Sequence, residues 1–368
     1  MSELEASLLR AAKALAGAKR PAILVGPEGA PSAATLVQLA DRLGAALLTT
    51  PDAISVIDHR RSCGTFSFGA SSLAREVIGR ADVVLATSAL GEFSSRLGEA
   101  FRRHTLIQVT DRLTGVGRNA ESSIALVAPS IHDTVKRLEV ALGELVHEPR
   151  APWFTDLLRE ARLAEPRVAR PGLIDPVTAI ASIEAALPDP ARVCLDVTSG
   201  ALHAYEHLKL TTTQRAFSSV ENSACMGEAL MASLGVRLAS DLPTLAIVGD
   251  WGFCMAPSEI HTAVELKLDR YVVLIWANGG GALVGAGIES EGIAVPDNVW
   301  HWKNAPDFAQ VARGYRALGV TVTDADALSS TLSRALRGSG PWIIEAKIDP
   351  AVPVPAGDRF RALAEART

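Results

Sequence analysis

The chain has 368 residues, 48% apolar and 21% charged, with 36 Lys and Arg against 41 Asp and Glu for a formal net charge of −5. That length accommodates two domains of about 100–200 residues each, and the composition excludes disordered, collagen-like and low-complexity classes. The acidic balance offers no electrostatic footprint for nucleic acid, and apolar runs such as Tyr271 to Ala277 fall far short of the roughly 20 residues of a membrane helix. Met1-Ser2-Glu3-Leu4-Glu5 lacks the basic and apolar regions of a secretory leader. Cys63, Cys194, Cys225 and Cys254 form no Cys-x-x-Cys pair. A cytoplasmic protein with reduced, mostly buried thiols is expected, binding neither nucleic acid nor membrane.

In chain order, residues 3–18 have helical spacing and end at Gly17, and Pro21 opens the apolar run Ala22-Ile23-Leu24-Val25, closed by Gly26-Pro27-Glu28-Gly29. A short apolar run between turn residues predicts a buried parallel strand. A helix over about 32–43 follows, then a strand at 46–49, a helix at about 71–80, a strand at 83–86, a helix at about 96–104, a strand at 106–109 and a helix at about 131–145. The proline-punctuated stretch from His147 to Leu173 reads as a linker around a polar helix at 153–163. The rhythm then resumes: helix 176–187, strand 193–197, helix 226–238, strand 245–248, helix 258–268, strand 271–276, helices near 307–318 and 326–337, and a last strand at 342–347. Alternating βα units predict an α/β chain of two doubly wound domains with mostly parallel sheets. The expected boundaries are 1–146, linker 147–173, second domain 174–352 and a tail 353–368.

The sharpest feature is one βαβ unit. Leu245-Ala246-Ile247-Val248 runs into Gly249-Asp250-Trp251-Gly252-Phe253, and Tyr271–Trp276 ends in Ala277-Asn278-Gly279-Gly280-Gly281. Adjacent parallel strands bring Asp250 and Asn278 to one carboxyl edge, where open α/β sheets bind ligands. A carboxylate, an amide oxygen and a loop carbonyl are hard donors suited to Mg²⁺ carrying a diphosphate, and glycines let a phosphate approach the backbone.

These residues resemble the diphosphate signature of the thiamine diphosphate (ThDP) enzymes of the acetolactate synthase and pyruvate decarboxylase group: Gly-Asp-Gly/Ala-Ser, about two dozen residues, then Asn-Asn. Ser218-Ser219 through Met226-Gly227-Glu228, Asp196-Val197, Glu259-Ile260-His261 and Gly340-Pro341-Trp342 resemble the flanking segments of that diphosphate-binding domain. Lys19-Arg20-Pro21, Leu43-Gly44-Ala45, Gly64 to Gly69, Ala81-Asp82-Val83 and Ile107-Gln108-Val109 resemble the group's central domain. The resemblance implies a ThDP- and Mg²⁺-dependent 2-oxo acid decarboxylase or carboligase. Asp250, Asn278 and the Gly280 carbonyl would hold the metal. Thr198, Ser199, Met226, Gly249, Trp251 and Gly252 would line the cofactor. The family's pyrimidine-binding domain, which carries the activating glutamate, finds no counterpart in these residues. A second polypeptide is therefore expected to supply it, with two copies of each chain and no catalytic residue in this one.

The signature also departs from the family. Trp251 stands where a small residue is usual, Gly252 replaces a hydroxyl, and only a one-residue slip past Ala277 brings Asn278 into register. A non-catalytic scaffold or regulatory subunit with a decayed site is therefore the competing reading. Each residue also has an ordinary explanation: Asp250 and Glu259 as first-turn helix acids, Asn278 as a turn residue, Met226 as core, and Thr198 and Ser199 as a helix cap. His203 and His207, spaced i, i+4 around Glu206, read as structural rather than zinc ligands. Whether the central domain holds FAD or ADP is left open by the sequence.

Overall fold

The apolar runs become two parallel sheets, each packed between helices. The structure, a computed structural model, describes residues 2–68, 72–96, 99–160, 168–218, 220–221, 223–296 and 299–355. The chain divides into two units, Met1–Ala164 and Glu165–Thr368.

In the first unit, α1 (Glu3–Gly17) opens on a reciprocal cap. The Ser2 hydroxyl accepts from the Glu5 N–H at 3.2 Å, and the Glu5 carboxylate accepts from the Ser2 N–H at 2.8 Å, satisfying donors that a helix start leaves open. Then come β1 (Pro21–Val25), α2 (Ala33–Leu43), β2 (Ala46–Thr49), α3 (Ser72–Arg80), β3 (Val83–Ala86), α4 (Glu92–Ser95), β4 (Thr105–Thr110), β5 (Ile124–Val127), α5 (Ile131–Gly143) and α6 (Thr155–Glu160). The sheet runs β2-β1-β3-β4-β5, parallel throughout. Every residue of β1, β2 and β3 is buried, as strands covered on both faces must be. One core layer gathers Leu15, Leu36, Leu39 and Leu138, and the other Phe66, Val77, Ile78 and Phe101.

The second unit contains α7 (Pro176–Ala186), β6 (Ala191–Leu195), α8 (Ser199–His207), β7 (Gln214–Ser218), α9 (Glu228–Ala239), β8 (Thr244–Gly249), α10 (Asp250–Met255), α11 (Glu259–Glu265), β9 (Tyr271–Ala277), α12 (Ala282–Ser290), α13 (Phe308–Gly314), β10 (Leu318–Val322), α14 (Ala325–Ala335) and β11 (Pro341–Lys347). Its sheet is β10-β11-β9-β8-β6-β7, again parallel. All seven residues of β9 are buried, Tyr271 and Trp276 among them; each such large side chain contributes about 1.5–3 kcal/mol of burial. The chain leaves β6 toward β7 and returns on the other side as β8, so the strand order reverses between β6 and β8.

The structure differs from the sequence expectations at several places. The helix expected over 96–104 is instead α4 followed by a 3-10 turn at Glu99–Phe101, because Arg96 adopts a left-handed conformation with φ 50° and ends α4. Strands β5, β7 and β10 arise where none was expected. Helix α13 stops at Gly314, and Leu318 already belongs to β10. Cys225 and Cys254 are exposed rather than buried, and all four thiols are free. Within the stretch 147–173, Trp153 Nε1 donates to the Pro21 carbonyl at 2.9 Å in the first unit. Arg170 pairs with Asp349 at 2.6 Å in the second. The start of the expected tail is described to residue 355, and the rest of it lies outside the described residues.

Candidate active site at the strand-order reversal

The ends of β6, β8 and β9 converge at the reversal between β6 and β8. Gly249 pairs with Trp276 across the β8–β9 ladder, so α10 begins beside the loop that follows β9. The Asp196 N–H donates to the Ile247 carbonyl at 3.0 Å, holding the end of β6 against β8. Open α/β sheets bind ligands at such a reversal.

Asp250 is 1% exposed. Its Oδ2 accepts from the Gly280 N–H at 2.6 Å, and the Gly279 N–H also bonds the carboxylate. Its Oδ1 is buried with no partner among the described residues. Burial pushes this carboxyl up to about 7; the two N–H bonds and the Lys347 ammonium oppose the rise, and Glu345 adds to it. Asp250 therefore bonds a loop 30 positions on, which its place in the first turn of α10 does not explain. An orphaned oxygen on a buried carboxylate is costly unless a cation meets it.

Asn278 donates its Nδ2–H to Ser199 Oγ at 3.0 Å, and that bond does not engage its Oδ1. The Gly280 carbonyl accepts from the Ala282 N–H at 3.0 Å and keeps a second lone pair. Among the described residues no group of three His, Cys, Asp or Glu side chains is placed to hold a metal. A cation here would meet one carboxylate and neutral oxygens. That donor set fits Mg²⁺, whose remaining positions are filled by water or phosphate oxygens.

The glycine loop is clamped. Gly279 and Gly280 take φ 91° and 140°, and a Cβ on Gly280 would stand 2.2 Å from the Trp300 carbonyl oxygen. The segment Trp300–Trp302 lies along this loop, with the Gly281 N–H donating to the Trp300 carbonyl and the Trp302 N–H to the Gly279 carbonyl, both at 2.8 Å. His301 packs on Gly279. Trp300 thus meets the loop through its carbonyl and Gly285 through its ring, whereas Trp302 meets the loop through its backbone N–H and turns its ring to Phe308, at 6.2 Å.

The other expected residues join the same set of contacts. Thr198 Oγ1 lies 2.8 Å from where a Gly249 Cβ would be, so a side chain there would push on Thr198. Thr198 holds the N-cap position of α8, yet its side chain makes no capping bond. Asp196, buried, accepts from the Gly227 N–H at 3.0 Å and the Ala229 N–H at 3.3 Å. These bonds fasten the segment carrying half-buried Met226 against Gly252, whose absent side chain leaves room for the Asp196 carboxylate. Trp251 lies with its ring edge on Gly281. The sequence does not mark Asp196 or His301 as site residues. For Asp196 a signal existed: like Asp250, it directly follows a buried strand.

His203 and His207 stack on one another at 6.3 Å, and His203 stacks on Trp276 at 6.1 Å. Burial drives the His203 pKa down to about 3, as for a neutral core imidazole. Glu259 starts α11, as a first-turn acid does.

The family model described as "Thiamine pyrophosphate enzyme, central domain" matches residues 8–138, and that described as "Thiamine pyrophosphate enzyme, C-terminal TPP binding domain" matches 196–346. The chain is 30% identical over 356 residues to a probable 2-ketoarginine decarboxylase, AruI, of Pseudomonas aeruginosa, covering 92% of this chain and 60% of that protein. It is 24% identical over 358 residues to the acetolactate synthase large subunit of Parasynechococcus marenigrum (94% and 57%). It is 23% identical over 361 residues to the pyruvate oxidase of Lactiplantibacillus plantarum (95% and 58%). The chain thus spans about 60% of the length of these curated relatives. Asp196, Asp250, Asn278 and the clamped glycine loop all fall inside the TPP-binding match, and the chain belongs to the thiamine pyrophosphate enzyme family.

Proposed function

We propose that this chain supplies the diphosphate-binding half of a Mg²⁺- and ThDP-dependent active site that decarboxylates a 2-oxo acid or joins the resulting fragment to a second carbonyl compound. The observation that carries this reading is the Asp250 carboxylate, buried, held by loop N–H groups and left with one orphaned oxygen beside the end of β9. Asp250 Oδ1, Asn278 Oδ1 and the Gly280 carbonyl would hold Mg²⁺. Ser199 fixes the Asn278 amide so that its oxygen, not its nitrogen, is presented. Thr198 and the backbone around Gly249 and Gly252 would border the diphosphate, and Met226 the ring system beyond it. When bound, ThDP supplies the electron sink for loss of CO₂; the protein supplies position and field.

The complementary half, with the acid that activates the aminopyrimidine, is proposed to come from a second polypeptide in an assembly of two copies of each chain. Isolation of the protein from its source, with native mass and subunit identification, tests this. A co-purifying chain with a pyrimidine-binding domain supports it, and a homo-oligomer with full turnover overturns it. The reaction is tested by CO₂ release from a panel of 2-oxo acids, with and without ThDP and Mg²⁺. Release that requires both is expected. An assembly that binds neither, with the Trp251 ring in the crevice, would instead favour the non-catalytic subunit.

A further inference from the structure

The proposed site contains one polar side chain whose donor is not yet matched. Trp251, half-buried, directly follows Asp250, and its indole N–H is buried with no acceptor among the described residues. Its ring edge lies on the clamped loop: a Cβ on Gly281 would stand 2.8–2.9 Å from Cζ2, Cζ3 and Cη2. Glycine at 281 therefore makes room for the ring, and large-for-small at 251 is matched by small at 281. The hydroxyl that the family signature carries one position later has no space here. A Cβ on Gly252 would lie 2.1 Å from Asp196 Oδ2 and 3.1 Å from Val248 Cγ1, and Asp196 is already fixed by the N–H groups of Gly227 and Ala229. A donor has thus been lost at 252, while an unused donor stands at 251, on a ring whose edge lies against the glycine loop and whose residue directly follows Asp250. Buried donors in folded proteins find acceptors, and a diphosphate is a dense array of acceptors with no donor of its own.

We propose that Trp251 is a ligand-contacting residue whose indole N–H donates to a diphosphate oxygen, replacing the hydroxyl that Gly252 cannot carry, while its ring braces Gly281. The inference rests on the cofactor reading above. It makes the departure at 251 an adaptation of the site rather than its decay.

Indole ¹⁵N-labelled protein, in its native assembly, tests this directly. The six tryptophans give six N–H signals, and the one missing in Trp251→Phe is that of Trp251. Addition of Mg²⁺ with inorganic pyrophosphate, and then of Mg²⁺ with ThDP, is expected to move that signal downfield. In calorimetry, Trp251→Phe, which keeps a ring against Gly281 and loses only the donor, is expected to bind Mg²⁺-ThDP about ten- to a hundred-fold more weakly. An unmoved Trp251 signal, equal affinity in Trp251→Phe, or tighter binding in Trp251→Ala would each overturn the proposal. Binding that is lost in Asp250→Ala but unchanged in Trp251→Phe sinks this inference alone. Absence of binding by the wild-type assembly sinks the cofactor reading and this inference with it.

Discussion

The backbone N–H of Gly280 lies 2.6 Å from Asp250 Oδ2, so a glycine in a conformation few other residues adopt positions a buried carboxylate at the strand-order reversal. The bond needs Gly280 at φ 140° and no atom where a Cβ would be, since the Trp300 carbonyl fills that place. The Trp300–Trp302 segment, the glycine loop and Asp250 therefore form one mechanical unit.

Gly280→Ala is expected to break that unit. A Cβ 2.2 Å from a carbonyl oxygen forces a backbone shift that costs about 2–4 kcal/mol, read as a lower urea midpoint, together with weaker Mg²⁺-ThDP binding. Gly235→Ala is the control: it lies inside α9 with nothing within 4 Å and should stabilise by about 0.5–1 kcal/mol. Equal midpoints for the two variants would contradict the clamp.

Restoring the family's hydroxyl with Gly252→Ser should harm rather than help. The new Cβ would meet the Asp196 carboxylate at 2.1 Å and disturb its bonds to Gly227 and Ala229, costing about 2–4 kcal/mol. Thermal unfolding measures this, and a stable Gly252→Ser protein with improved cofactor affinity would refute the packing argument.

Ser199→Ala removes the acceptor of the Asn278 amide and frees that side chain to rotate. Loss of one such bond is worth about 1 kcal/mol, so Mg²⁺ affinity should fall about five-fold while the fold, followed by circular dichroism, stays intact. Unchanged affinity would mean that Asn278 is not a ligand.

The pH dependence follows from Asp250. Its carboxyl titrates near 7 in the folded chain against 3.8 ordinarily, so the folded state binds more protons than the unfolded state between those values. Stability of the metal-free protein should therefore fall as pH rises from about 4 to about 7, by up to about 4 kcal/mol from this group. Above pH 7 the carboxylate is ionised, and Mg²⁺ should both bind best and restore stability. Asp250→Asn should flatten the metal-free slope in urea titrations at pH 5 and pH 8. A slope of equal size in that variant would assign it elsewhere.

Much of the site was legible because strands buried on both faces read as unbroken apolar runs. Val248 and Trp276 end the strands that the sequence predicts for β8 and β9, each one residue short of the strand's end, and the residues that follow stand at the reversal. The strands that escaped notice, β5, β7 and β10, are all edge strands. In β7 the exposed Arg215 and Phe217 break the pattern, and in β10 Gly319 and Thr321 do, so no apolar run announces either; β5, Ile124-Ala125-Leu126-Val127, is such a run but is only partly buried. Nor could local pattern reveal contacts between distant segments. The Asp196 bonds to Gly227 and Ala229, the packing of Trp300–Trp302 on the glycine loop and the fit of Trp251 to Gly281 exist only once the chain is folded. The stretch 147–173 reads locally as a spacer because its prolines interrupt periodicity, yet Trp153 packs its ring into the first unit and Arg170 closes on Asp349 in the second.

Equilibrium dialysis of the native assembly against ThDP, with Mg²⁺ or with chelator, is the most direct test of whether the acidic side chain at the β8 tip anchors the cofactor. Retention of one ThDP per copy of this chain is predicted, abolished both by chelator and by Asp250→Ala. Retention that survives either treatment, or no retention by the wild-type protein, would contradict the assignment.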